Sequence, residues 1–333
     1  MSAPRYEIVG IGNAIVDVLA RAEEDFLVRQ KMPKSTMALI DEARAREVYD
    51  AMGPAIEISG GSAANTIVGV AGFGARAAFI GKVKDDELGR VFGHDIRAAN
   101  VTFETKPSAS GPATGRCYVL VTPDGQRTMN TFLGAAQNLH PDDIDPGMIA
   151  ASAITYLEGY LWDPPQAKDA FLKAAKAAHA AQRKVALTLS DAFCVERYRG
   201  EFRKLMRDGI VDLVFANEAE LKSLYQTSDF ETGIAALRGD INLAVVTRSE
   251  KGCVVVSASG VEAVPAFPVE RVIDTTGAGD LFAAGFLFGL ARGADHRKAA
   301  RLGGLAAAEV IGHLGARPQV SLQKLAAENG LPA

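Results

Sequence analysis

The chain has 333 residues, 48% hydrophobic and 23% charged, enough for one large α/β domain with a small appendage or for two domains. Its net charge of −4 argues against a nucleic-acid binder, which would carry a basic face, and no run approaches the ~20 apolar residues of a membrane span. Cys117, Cys194 and Cys253 are far apart and form no CxxC pair, so neither a zinc site nor a disulfide framework is expected.

In chain order, the opening MSAPRYEIVGIGNAIVDVLA is apolar only briefly and lacks the basic start and cleavage pattern of a signal peptide, which with the unpaired cysteines points to the cytoplasm. Residues 6–11 (YEIVGI) read as a buried strand. Residues 14–50 fit no regular βα rhythm. AANTIVGVAGFG (63–74) reads as a helix and AAFIGKV (77–83) as a strand. GRCYVLVTPDGQRTMNTFLG (115–134) carries two strand-like runs around the turn chemistry of Thr122-Pro-Asp-Gly125, a β-hairpin. Strands are expected again at 153–159, 184–190, 211–217 and 243–249. Helices are expected at 164–182, rich in alanine and lysine, and at 217–226, and the last dozen residues read as a surface helix and tail.

This alternation implies an α/β fold, a mostly parallel sheet between two layers of helices, with ligands bound beyond the carboxyl ends of the strands. The expected core comprises residues 1–13, 51–111 and 136–333. Residues 14–50 and 112–135 form a small β-rich lid.

Two phosphate motifs fail. GARAAFIGKV has too long a spacing for a P-loop and Val83 where Ser or Thr belongs. GIGNAI (10–15) and GAGDLF (277–282) lack the third glycine of a dinucleotide fingerprint, which argues against an oxidoreductase. VIDTTGAGDLFAAGF (272–286) is different. Residues 281, 282, 285, 286, 289 and 290 form a helical apolar stripe, and Gly293 can close the helix. Its start, Gly277-Ala278-Gly279, offers backbone amides that can surround an anion at the positive end of the helix. A packed, capped helix explains the stripe, but not the density of Asp274, Thr275, Thr276 and Asp280 at its entry.

DTTGAGD before an apolar helix resembles the C-terminal signature of the ribokinase-like, or PfkB, family of carbohydrate and nucleoside kinases. Gly60-Gly61-Ser62-Ala63-Ala64-Asn65, continued by GKVKDDELG (81–89), resembles the family's N-terminal element. Asn217-Glu218-Ala219-Glu220 matches its N-x-x-E element. The three motifs stand in the family's order and span essentially the whole chain. GIGNAIVDVLA (10–20), RTMNTFLGAAQNL (127–139), LTLSDAFCVERY (187–198) and VDLVFANEAE (211–220) look most like adenosine kinases within it.

The resemblance implies an ATP-dependent kinase with a ribokinase-like three-layer core and a small β-rich lid. Its acceptor would be the 5′-hydroxyl of a purine nucleoside, adenosine becoming AMP. The alternatives are a ribose or fructose kinase, a kinase for another nucleoside, and a nucleoside sensor without turnover, which an intact Asp280 argues against. Asp280 would accept the proton of the attacking hydroxyl, and as a helix-start carboxylate it is expected to keep a low pKa. The amides of Gly277, Ala278 and Gly279 would hold charge on the moving phosphoryl group. Arg127 would reach phosphate when the lid closes.

For the acceptor, Asn13 and Asp17 would bind ribose, Asp17 through two hydroxyls. Gly60 and Gly61 would lie against the sugar, with Ser62 and Asn65 beside them. Met37, Met129, Thr131 and Tyr160, near Cys117, would face the base, although EGYLWD (158–163) departs from the phenylalanine pair of animal adenosine kinases. For the nucleotide, Asn217 and Glu220 would hold Mg²⁺ through water. Thr275, and Thr247 and Gly252 of a loosely matching TRSEKG, would contact ATP. Family members commonly use a monovalent cation near the DTTGAGD turn, so K⁺ is also expected there. The five histidines show no metal spacing. The protein is expected to act on its small substrate as a monomer or homodimer.

Overall fold

The computed structural model describes residues 3–331; residues 1–2 and 332–333, which the expected core and tail include, lie outside the described residues. The strands are β1 (Tyr6–Ile11), β2 (Ile15–Arg21), β3 (Met37–Leu39), β4 (Ala55–Gly60), β5 (Ala77–Ile80), β6 (Val101–Phe103) and β7 (Gly115–Val121). They continue as β8 (Arg127–Phe132), β9 (Ser152–Glu158), β10 (Lys184–Thr188), β11 (Leu213–Asn217), β12 (Ala244–Thr247), β13 (Cys253–Ser257) and β14 (Gly260–Val264).

Nine of these form one sheet in the order β14-β13-β12-β11-β10-β9-β1-β5-β6. It is parallel from β12 to β6 and antiparallel at the β12–β13–β14 edge. Its parallel strands are largely buried on both faces, as helical crossovers require, whereas the edge strand β14 is partly exposed. Ile8, Ile154, Ala186 and Val245 point into one apolar core; Val9, Leu157, Val185 and Val246 point into the other.

The first core holds the helix Ala278–Ala291. This helix packs between Ser62–Gly72, His296–Val310 and the sheet, so it is buried all round from Leu281 to Gly289 rather than along one stripe. Among the described residues no helix is long and apolar enough to cross a membrane.

The second sheet has the order β3-β8-β7-β2-β4. The expected hairpin is present as β7 and β8, its turn closed by Gly125 N–H on the Thr122 carbonyl at 2.8 Å. One boundary needs correction. Residues 55–60, assigned from sequence to the core, are the edge strand of this lid, paired antiparallel with β2 from Ile15↔Gly60 to Ala20↔Ala55. The outer residues Ala55, Ile56 and Glu57 are exposed, so this strand shows no continuous apolar run. The chain enters the lid just after β1 and returns to the core through Gly60-Gly61.

Phe286 is fully buried and meets Phe215 edge to face, ring centroids 5.6 Å apart, which ties the long helix to the central sheet. Phe286→Ala is expected to cost about 3–5 kcal/mol, read as a lower midpoint in urea unfolding. A cost below about 1 kcal/mol would mean that the helix does not depend on this contact.

Candidate active site at the carboxyl ends of the strands

In the nine-stranded sheet the chain runs from β1 to β5 and β6 on one side, then to β9 and onward on the other. The carboxyl end of β1 is therefore a switch point, where the connections diverge and leave a crevice. Asn13 follows β1, Glu158 ends β9, Asn217 ends β11 and Thr247 ends β12, and all four line one cavity of about 430 Å³.

The roof is the inner face of the lid. In-register pairing aligns Asp17, Cys117, Thr131 and Leu39 across four strands, with Val119, Met129 and Met37 in the next row. The far wall carries Tyr160 and Phe193. The cavity is thus polar at Asp17 and apolar at Met37. Three strand spacings separate those ends, roughly 14 Å.

The polar end concentrates carboxylates. Asp280 accepts from Ser62 Oγ at 2.6 Å and from Asn65 Nδ2 at 3.1 Å. Burial nevertheless pushes its pKa up to about 6, against the opposing pull of Ser62, Asn65 and Arg317. The low value expected for a helix-start carboxylate is therefore wrong: desolvation outweighs the dipole and the two hydrogen bonds. Asp17 is raised to about 7 by burial and by the charge of Asp280, with Arg317 opposing, and it accepts no hydrogen bond among the described residues. Glu158, fully buried, accepts from Asn13 Nδ2 at 2.6 Å and from the Ala63 amide at 2.8 Å, and burial raises it to about 7. Asn13 Oδ1 and Asn65 Oδ1 are buried without a partner, and an unpaired buried acceptor calls for a ligand donor or water.

The two lid-return glycines have distinct tasks. A Cβ on Gly60 would lie 2.3 Å from the Asp17 carboxyl carbon, so Gly60 makes room for that side chain; it does not line the cavity as expected. Gly61 does line it, with φ +99° and the Asn13 carbonyl 2.2 Å from where a Cβ would sit.

At the anion turn Gly277 is left-handed, with φ +75°, and packs on Ala316. The amides of Gly277, Gly279 and Asp280 have no acceptor among the described residues. The Ala278 amide, expected to face the same anion, turns back to the Thr275 carbonyl at 3.3 Å. Asp274 is buried beneath. Its Oδ1 accepts from Thr276 N and Thr276 Oγ1 and pairs with Arg127 Nε at 2.8 Å; its Oδ2 accepts from the Gly315 amide at 2.9 Å. Arg127 also donates to Thr275 Oγ1 at 2.9 Å, so the lid arginine is tied to the turn itself.

Asn217 and Glu220 line the cavity but close on each other in a capping box: the Glu220 carboxylate accepts from the Asn217 amide at 3.0 Å and from Asn217 Nδ2 at 2.5 Å. Burial, with the charge of Asp191, pushes Glu220 to about 7. A buried carboxylate raised in this way, with no cation beside it among the described residues, suits a hydrated Mg²⁺ nearby. Among the described residues no group of three or more His, Cys, Asp and Glu could hold a metal. Gly252 lies outside the cavity: its φ of +82° and the Val264 carbonyl 2.1 Å from a would-be Cβ make it a turn residue of the β12–β13 hairpin.

Sequence reasoning missed Glu158, Phe193 and Arg317. Glu158 had a signal, an acid ending an apolar strand. Arg317, in the loop after the last core helix, had none.

The model of the pfkB family of carbohydrate kinases matches residues 54–323. The crystal structure of adenosine kinase from Sinorhizobium meliloti superposes with a TM-score of 0.92 at 53% identity, covering 98% of this chain and 99% of that one. A structure described as a probable sugar kinase from Rhizobium etli superposes at 0.94 with 49% identity, covering 98% and 99%. Adenosine kinase of Saccharomyces cerevisiae is 26% identical over 95% of this chain and 96% of its own length.

Asp17, Glu158, Glu220 and Asp280 all bind protons more tightly in the folded chain than at the ordinary values of 3.8 and 4.5. Their protonation stabilises the fold; the effect is complete below those ordinary values and is lost as pH rises through about 6 to 7. The ligand-free protein is therefore expected to melt higher at about pH 5.5 than at about pH 8, and Asp280→Asn to narrow that gap. Equal melting temperatures in the wild type would contradict the arrangement.

Proposed function

The chain belongs to the pfkB family of ATP-dependent carbohydrate kinases, and we propose that its acceptor is the 5′-hydroxyl of a purine nucleoside, adenosine giving AMP. The observation that carries this reading is the length and polarity of the cavity. One sugar ring fills the end beside Asp17, Asn13 and Gly61, leaving an apolar slot between Met37, Leu39, Met129, Tyr160 and Phe193 that suits a flat base. A free sugar would leave that slot empty. The likeness to adenosine kinases over nearly the whole chain supports the same choice. The second reading, a sugar kinase, is favoured by the Rhizobium etli structure and by Glu158, a buried carboxylate able to accept a further hydroxyl.

Asp17, which accepts no hydrogen bond among the described residues, accepts the two vicinal ribose hydroxyls. Asp280 orients the 5′-hydroxyl and takes its proton; at about 6 its pKa leaves it ionised at neutral pH yet basic enough to receive that proton. The free amides of Gly277, Gly279 and Asp280 hold charge on the transferred group. Arg127 binds phosphate from its place against Thr275, and Thr247 borders the nucleotide end. Asn217 and Glu220 would hold the water of a Mg²⁺ bound with ATP, which would supply charge neutralisation on the phosphates.

ADP release from MgATP is to be measured with adenosine, inosine, guanosine, ribose and fructose offered separately. Turnover with adenosine and little with the free sugars is expected; the reverse order would sink the nucleoside reading. Asp280→Asn should lower kcat by about 10²–10⁴-fold with a small change in KM. Near-normal turnover in that variant would remove Asp280 from the chemistry.

A further inference from the structure

Arg317 sits behind the cavity rather than in its wall. It lies in the loop after the helix His296–Val310, and it is the first residue after Gly315 and Ala316, which hold Asp274 and Gly277. Its Nε and Nη2 donate to the Ser59 carbonyl, the former at 3.2 Å. Nη2 also donates to Ser59 Oγ at 2.9 Å, and Nη1 donates to the Ala64 carbonyl at 3.1 Å. Ser59 is held from the other side by Asp95, which accepts from its amide at 2.8 Å and from its hydroxyl. The guanidinium therefore bridges the last residues of the lid strand β4 and the first turn of the helix Ser62–Gly72. Between those anchors stand Gly60, Gly61 and Ser62, the residues that seat Asp17 and bond Asp280.

We propose that Arg317 is a positioning residue for phosphoryl transfer: it fixes the Gly60–Ser62 turn against the anion turn and sets a guanidinium charge behind the Asp17–Asp280 pair. The inference rests on the kinase reading of the site and not on which acceptor is used.

The charges at this point leave few alternatives. Asp280 is faced by Ser62 and Asn65 from one helix, by Asp17 from the lid, and by Tyr156, Glu158 and Tyr160 from β9 and the residues after it. Apart from the two hydrogen-bond donors, these are carboxyl or phenol groups, and Arg317 is the cation whose charge favours ionised Asp280. The same guanidinium opposes the rise of Asp17. Burial lowers Arg317 itself only to about 10, with Asp95, Asp17 and Asp280 opposing, so it stays charged at neutral pH. Arg127, the other arginine near the turn, is paired with Asp274 instead.

The test compares Arg317→Gln, which keeps amide donors but no charge, with Arg317→Lys, which keeps the charge but not the fork. For each, kcat/KM is followed from about pH 5 to 9 with MgATP and adenosine, or with the acceptor from the panel that the wild type uses. For Arg317→Gln the acid limb should move up by about one pH unit, a roughly tenfold loss below the limb that recovers at high pH. For Arg317→Lys the limb should stay in place, while KM for the acceptor rises severalfold because the turn is less well held. The midpoint of a limb does not depend on how much enzyme is folded, so reduced yield leaves the reading intact. If Arg317→Gln gives no folded protein, Arg317→Lys alone decides: a limb displaced by more than about half a unit overturns the proposal. A limb unmoved in Arg317→Gln, or moved equally in both variants, would reduce Arg317 to a packing residue.

Discussion

The carboxylate of Asp274 joins three parts of the chain that are remote in sequence. It accepts from Thr276 in its own turn, from Gly315 in the loop after the last core helix, and it pairs with Arg127 of the lid. A buried carboxylate without partners would be costly, so each donor is retained by the penalty of losing it. The anion turn, its backing loop and the lid hairpin are thereby referred to one point. Gly277 can pack on Ala316, and the free amides face the cavity, because that point is fixed.

Above this hub the site holds a second kind of tension. Asp17, Glu158 and Asp280 are gathered at one end of the cavity, where desolvation raises all three. Such crowding destabilises the empty protein and is expected where charge and hydroxyls of a ligand are to be met. The lid contributes differently. Its inner face passes from Asp17 to Met37 within one register of paired strands, so a single sheet presents a polar end and an apolar end at fixed separation.

Much of the architecture could be read from residue patterns. YEIVGI, KVALT and LVFAN are apolar on both faces, which only a sheet covered by helices on both sides can bury, and Thr122-Pro-Asp-Gly125 turns as its chemistry requires. Residues 55–60 misled because an edge strand with one solvated side carries little periodic signal. The low pKa expected for Asp280 failed for a related reason: a helix start predicts a dipole, but the desolvation that overrides it comes from elements distant in sequence. Glu220 stood in a motif whose local hydrogen bonds are those of a capping box, and sequence alone does not separate a cap from a ligand to hydrated metal.

By itself the sequence determined what depends on short-range periodicity and local stereochemistry: the alternation of strands and helices, the hairpin, the glycine-led helix start with its exposed amides, and the family those motifs mark. Only the tertiary structure decided which charged groups share a cavity and which are paired elsewhere. Arg317 beside Ser59, Glu158 on Asn13, and Arg127 on Asp274 are contacts across 258, 145 and 147 positions of chain. Their energies depend on burial and distance, quantities that exist only after the sheet has brought its carboxyl ends together.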